Sequence, residues 1–312
     1  MNYGAILSDA FYIALRNRFL WFFGFFLGGA TLVSPTNFGT PTTPTGDPAW
    51  AMNLGRWIEN NVGLAIFIFV STMLVLIIIF LALYTLCRAA LTESIGAIAR
   101  GESRRFGSTL RGGLSYFWRA LLQALLLALI ALAIAIPVYL LLGAAFLGLF
   151  AGIAATDSTA VRVVIALFCV LAILLLFAAI VAVTLALQIV VQLALRDLIL
   201  GSSGIVSSIG NGYRIFRRNI GRTLLLLVIQ IGMSLGAGIV LAIVVAVLGL
   251  LLSLPVTALS GSGFSTTVAI AGSLLFSLPV FVVGGFLGTF YQAYWTLAYL
   301  RLSASDTQPP PG

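Results

Sequence analysis

The sequence predicts an all-α fold: a polytopic membrane helical bundle of six transmembrane helices in three helical hairpins, each hairpin preceded by an amphipathic interfacial helix. Three observations carry that prediction. Hydrophobic residues make up 61% of the 312-residue chain and charged residues only 8%, a balance that excludes a soluble fold. The 78 residues between Arg222 and Arg301 contain no Asp, Glu, Lys or Arg, and four shorter charge-free runs lie upstream. The charges gather in short clusters between those runs, where a chain leaves the bilayer. A hydrocarbon core of roughly 30 Å takes about 20 apolar residues per helix, and backbone amides must be paired inside it. Unbroken stretches such as Leu121 to Ile136 therefore read as helices rather than as the alternating strands of a barrel.

In chain order, the expected spans are Phe19 to Val33, Val62 to Cys87, Leu121 to Ile153, Val163 to Leu195, Thr223 to Leu252 and Val268 to Leu300. The last two come from dividing the 78-residue run at Pro255 to Thr267, where Pro, Ser and Gly cluster as in a turn. Several spans exceed what a bilayer needs, so those helices tilt or project. Arg16 and Arg18 precede an apolar stretch without a small-x-small cleavage site, which predicts an uncleaved first span rather than a signal peptide. The outer loop from Ser34 to Asn61 holds Pro35, Pro41, Pro44 and Pro48. Trp50, Met52, Leu54 and Trp57 follow in a stretch suited to the outer interface. The whole of 1–301 reads as one membrane domain, with 302–312 a disordered cytoplasmic tail.

Orientation follows from arginine. The chain has 16 Arg, no Lys and no His; Arg56 and Arg162 fall in loops on one face and the other 14 on the opposite face or at its edge. Positively charged loops stay inside, which places both termini in the cytoplasm and the protein in a plasma membrane. Arginine without lysine points to a GC-rich bacterial genome. The net charge of +8 is explained by topology, so nucleic acid is not expected as a partner.

Three segments that precede an outward span align without gaps. Superposing Arg16, Arg119 and Arg218 places Tyr3, Leu7, Phe11 and Ala14 opposite Phe106, Leu110, Leu114 and Phe117, and opposite Ile205, Ile209, Tyr213 and Phe216. These offsets trace one face of a helix, as in an amphipathic segment lying in the membrane interface. The inward spans end alike at Arg88, Arg196 and Arg301. Together these features predict three repeats, 1–100, 101–200 and 201–301, with pseudo-threefold packing.

Catalytic chemistry finds little material. Absence of His removes hydrolase triads and His-based metal sites, and no acid sits in the middle of a span. Cys87 and Cys169 read as buried hydrophobes. No Walker loop or dinucleotide fingerprint occurs, so no enzyme activity, cofactor or metal is expected. The distinctive intramembrane polar groups are Gln123, Gln188, Gln192, Gln230 and Gln292, all in the inner half of the bilayer. They either line a polar pocket for a headgroup or small solute, or hydrogen-bond between helices at about 0.6 kcal/mol each. Arg104, Arg105 and Arg111, then Arg214, Arg217 and Arg218, either serve topology alone or form a collar that holds anionic lipid, at about 1 kcal/mol per charge. Gly24 and Gly28, Gly148 and Gly152, Gly232 and Gly236, and Gly284 and Gly288 have the small-xxx-small spacing of close helix contacts, within the bundle or in a homo-oligomer. Pro137 and Pro279 fall inside spans and are expected to bend them.

The run Ala14-Leu-Arg-Asn-Arg-Phe-Leu-Trp-Phe-Phe-Gly, echoed by Tyr213-Arg-Ile-Phe-Arg-Arg-Asn, resembles a broad group of bacterial six-span proteins of unknown function. That group is similar to the membrane domain fused to some glycerophosphodiester phosphodiesterases. The soluble phosphodiesterase barrel is missing here, so the resemblance implies the membrane layout and no enzymatic residue. The expected function is lipid binding or scaffolding at the cytoplasmic leaflet, with membrane lipids, a second copy or a membrane protein as partners. The alternative is a passive permease or channel for a small polar or amphipathic solute.

Overall fold

The computed structural model describes residues 2–29, 49–154, 158–258 and 265–307. The described residues are helical almost throughout, with no strand among them. In chain order they form α1 (Tyr3–Arg16), α2 (Leu20–Gly24) running into a π-helical turn (Phe25–Gly29), α3 (Ala49–Asn60), α4 (Val62–Ala99) and α5 (Phe106–Ala154). Then come α6 (Thr159–Leu200), α7 (Ile205–Arg218), α8 (Ile220–Ala258) and α9 (Ser265–Thr307).

Four of these, over Val62–Ala99, Phe106–Gly152, Thr159–Leu200 and Ile220–Val244, are long and apolar enough to cross a membrane. Their surfaces agree with that. Phe67 on α4 is 68% exposed and Phe168 on α6 is 72% exposed, among long runs of exposed Leu, Ile and Val. Such faces are costly in water at about 25 cal/mol per Å² and cost nothing against acyl chains. The first expected span is described only as α2 and its π turn, since 30–33 lie outside the described residues. The sixth falls within α9. Of the turn expected over Pro255 to Thr267, 255–258 end α8 and 265–267 begin α9, while 259–264, the proline-bearing start of the outer loop and the end of the chain from 308 also lie outside the described residues. At its C-terminal end α9 continues past Arg301 to Thr307, into the segment expected as a tail, and Leu302 there is buried.

The expectation of a separate interfacial helix before every hairpin is corrected at the second one. There the segment from Phe106 is continuous with the following span, giving a single 49-residue helix. The aligned residues explain the difference. Asn17 ends α1 and Asn219 ends α7; both leave helical geometry, and each side-chain amide donates to the carbonyl four residues back, Ile13 or Ile215. Asn competes with the helix in this way, whereas the equivalent position in α5 is Ala120, the strongest helix former. At roughly 1.5 Å per residue, α5 is about two and a half times as long as a bilayer core of roughly 30 Å is thick and must project beyond it.

The chain divides into two compact units, Met1–Phe117 with Val228–Gly312, and Trp118–Leu227. In the first, α2 and its π turn cross α9, with α4 alongside. The crossing depends on glycine: a Cβ on Gly288 would lie 1.9 Å from the Gly24 carbonyl oxygen, and one on Gly24 would lie 2.1 Å from that of Gly285. Only bare backbones fit at that separation. Thr289 then donates to the Leu20 carbonyl at 3.0 Å and to that of Gly285 at 2.8 Å, pinning the crossing. Two of the small-xxx-small pairs, Gly24 with Gly28 and Gly284 with Gly288, thus meet each other within the chain. By contrast, Gly148, Gly232 and Gly236 face open space. In the second unit, α7 lies against the end of α6.

Candidate functional site

The three segments aligned in the sequence all dock on a long helix, and by corresponding residues. Ile6, Thr109 and Ser208 occupy one aligned position and are fully buried; Ala10, Gly113 and Gly212 occupy the next, one turn later, and are buried too. A Cβ on Gly113 would lie 2.6 Å from the Ala90 Cβ of α4, and one on Gly212 would lie 2.9 Å from the Ala194 amide of α6. Segment α1 docks on α9. The row of large apolar residues singled out in the sequence lies beside this buried stripe and is only partly covered: Phe11, Leu114 and Tyr213 are each about half exposed, while Phe11 meets Phe286 and Phe290 of α9 edge-on. Small residues enter the contacts because they allow close approach, and large ones gain nothing by leaving lipid.

Polar groups fix each joint. Ser94 of α4 donates to Thr109 at 2.8 Å. At the equivalent position Ser208 accepts from Gln123 of α5 at 2.8 Å. Arg301 donates to Asp9 at 2.7 Å and to the Asn2 carbonyl at 3.1 Å, which ties the last helix to α1. Asp197, at the end of α6, accepts from Ser203 and, at 3.0 Å, from Asn211 of α7. Arg196 is fully buried and donates to the backbone and side-chain oxygens of Gln192 at 2.6 and 2.8 Å. This network around Arg196, Asp197 and Ser203 is not evident from the sequence. The only signal was the shared arginine at the end of each inward span.

Of the five glutamines, Gln123 is bonded to Ser208, Gln192 to Arg196, and Gln230 accepts from the indole of Trp295 at 2.6 Å. Gln292 is buried and Gln188 is exposed. Gln188 and Gln192, one turn apart, belong to the second unit with Gln123, and Gln230 and Gln292 to the first.

The arginines differ sharply. In the first unit Arg104 bridges Glu93 at 2.7 Å and Glu102 at 3.0 Å, with the Arg104 and Glu93 side chains largely buried, and Arg100 also pairs with Glu102. Arg105 and Arg111 are exposed. In the second unit Arg214, Arg217 and Arg218 are exposed on α7, and Asp197 is buried and accepts from Ser203 and Asn211. No group of three or more potential metal-ligating side chains occurs among the described residues.

Residues 19–306 match one family model, described as a family of unknown function (DUF7544), and since that is most of the chain, the protein belongs to this family. No curated protein and no solved structure matches it.

Proposed function

We propose that this family member is a non-enzymatic, multi-pass protein of the bacterial plasma membrane that holds anionic lipid at the cytoplasmic leaflet, with six spans in three hairpins and both termini inside. The observation that carries the reading is the recurrence, at corresponding residues, of a helical segment that buries a small-residue stripe on a long helix and leaves large apolar residues partly exposed and arginine outward. A segment so arranged is suited to the interface, where apolar side chains enter the acyl region and guanidinium groups meet phosphates. The same recurrence supports three repeats of about 100 residues, in line with stacked units that each need a neighbour's surface.

Hydrogen bonding of Gln123, Gln192 and Gln230 within helix packing favours a structural role for these groups over a permeation path. The test is lipid preference. Purified protein reconstituted in discs of mixed phosphatidylglycerol and phosphatidylcholine should enrich the anionic lipid around it, and equal occupancy by both lipids would refute the reading.

A further inference from the structure

Helical spacing gathers Val206, Gly210, Tyr213, Arg214 and Arg217 on one side of α7, opposite the Ser208, Gly212 and Ile215 stripe that is buried. All five are exposed, Val206 at 73% and Tyr213 at 53%. Arg214 and Arg217 make no ion pair among the described residues, unlike Arg104. Gly210 lies in the middle of this face with no atom near where a Cβ would be. Glycine in a helix interior weakens the helix relative to alanine, and no packing contact at Gly210 offsets that cost.

We infer that this face of α7 is a seat for the phosphate of an anionic glycerophospholipid. Arg214 and Arg217, three residues apart, are neighbours on the helix surface and share the phosphate. Val206 and Tyr213 lie along the glycerol and the first methylenes, and Gly210 leaves the gap that the headgroup fills. The occupant is a membrane lipid rather than a soluble phosphate ester, because the cations are interleaved with apolar side chains that only a lipid can cover. The inference rests on the lipid-holding role proposed above and adds the place and the chemical class.

The full chain in discs, with spin-labelled phosphatidylglycerol or phosphatidylcholine as the probe, tests it. The selectivity for phosphatidylglycerol should fall about fivefold for each arginine removed in Arg214→Gln/Arg217→Gln. Arg56→Gln removes an exposed charge outside the three docking segments and should change it by no more than about twofold. Gly210→Leu, which alters no charge, should also lower selectivity, and it carries the test alone if the glutamine variant does not fold. Millimolar glycerol phosphate should fail to displace the labelled lipid; displacement would overturn the lipid assignment. Unchanged selectivity in Gly210→Leu would overturn the seat. Loss confined to a further variant, Arg105→Gln/Arg111→Gln, would place the lipid elsewhere and leave the general role standing, whereas a wild-type protein without selectivity would remove both.

Discussion

The connection from α4 to α5 and the connection from α6 to α8 use the same joint for different ends. Gly113 and Gly212 correspond and each meets the helix before it; Thr109 and Ser208 also correspond, Thr109 accepting from Ser94 of α4 and Ser208 from Gln123 of α5. Beyond the joint the two diverge. In the first, Ala120 lets the helix run on and Glu93 and Glu102 neutralise Arg104 and Arg100, making a strut. In the second, Asn219 breaks the chain into a separate amphipathic α7 whose arginines face outward. A fixed docking register thus leaves the outer face free to differ, and a few residues decide whether that face is braced by ion pairs or left exposed.

The largest effect tests the shared joint. Gly113→Val and Gly212→Val force side chains into contacts already closed and should each destabilise by about 3 kcal/mol, measured as unfolding free energy in detergent. Similar losses at the two sites would support a common joint, and a loss at only one would break the equivalence. Next come the charges. Arg104→Gln should cost about 1–2 kcal/mol, because it strips partners from the largely buried Glu93, while the exposed Arg217→Gln should stay within about 0.5 kcal/mol. Coupling measured in a Glu93→Gln/Arg104→Gln cycle checks that the loss belongs to the pair.

Asn219→Ala probes the break itself. Helical hydrogen bonding should then extend through position 219, slowing amide exchange at 219–222 by about threefold, the difference in helix propensity between the two residues. Faster or unchanged exchange would mean that tertiary contacts, not the asparagine, set the break. The smallest expected effect is at Ser202, which holds a positive φ of 51° just after α6. Ser202→Gly should stabilise by about 0.5–1 kcal/mol, seen as a small rise in the thermal midpoint, because glycine adopts that backbone without strain.

Much of this was legible in the sequence because lipid imposes simple rules. Charge-free length marked α4, α5, α6 and α8, and aligned arginines found the docking segments in the right register. The alignment row picks out the large residues of each segment, whereas the closest approaches to the neighbouring helix are made by the small ones beside it: Ala10, Gly113 and Gly212. In a bilayer, bulk does not signal burial, since large side chains such as Leu114 and Tyr213 would lose nothing facing acyl chains. The fused α5 was missed because shared patterning hid a single substitution, Ala120 for asparagine. The pairing of Arg104 was hidden for another reason. Glu93 lies eleven residues away, across the turn between two helices, and only the fold brings it to 2.7 Å.

The account stands or falls on both arginine-bearing connections sharing the inner side of the membrane. With Cys87 and Cys169 replaced by serine, single cysteines at positions 56, 105 and 217 should be probed with a membrane-impermeant maleimide on sealed cells. Labelling at 56 alone, with 105 and 217 reacting only after permeabilisation, is the predicted result; modification of 105 or 217 in intact cells would contradict it.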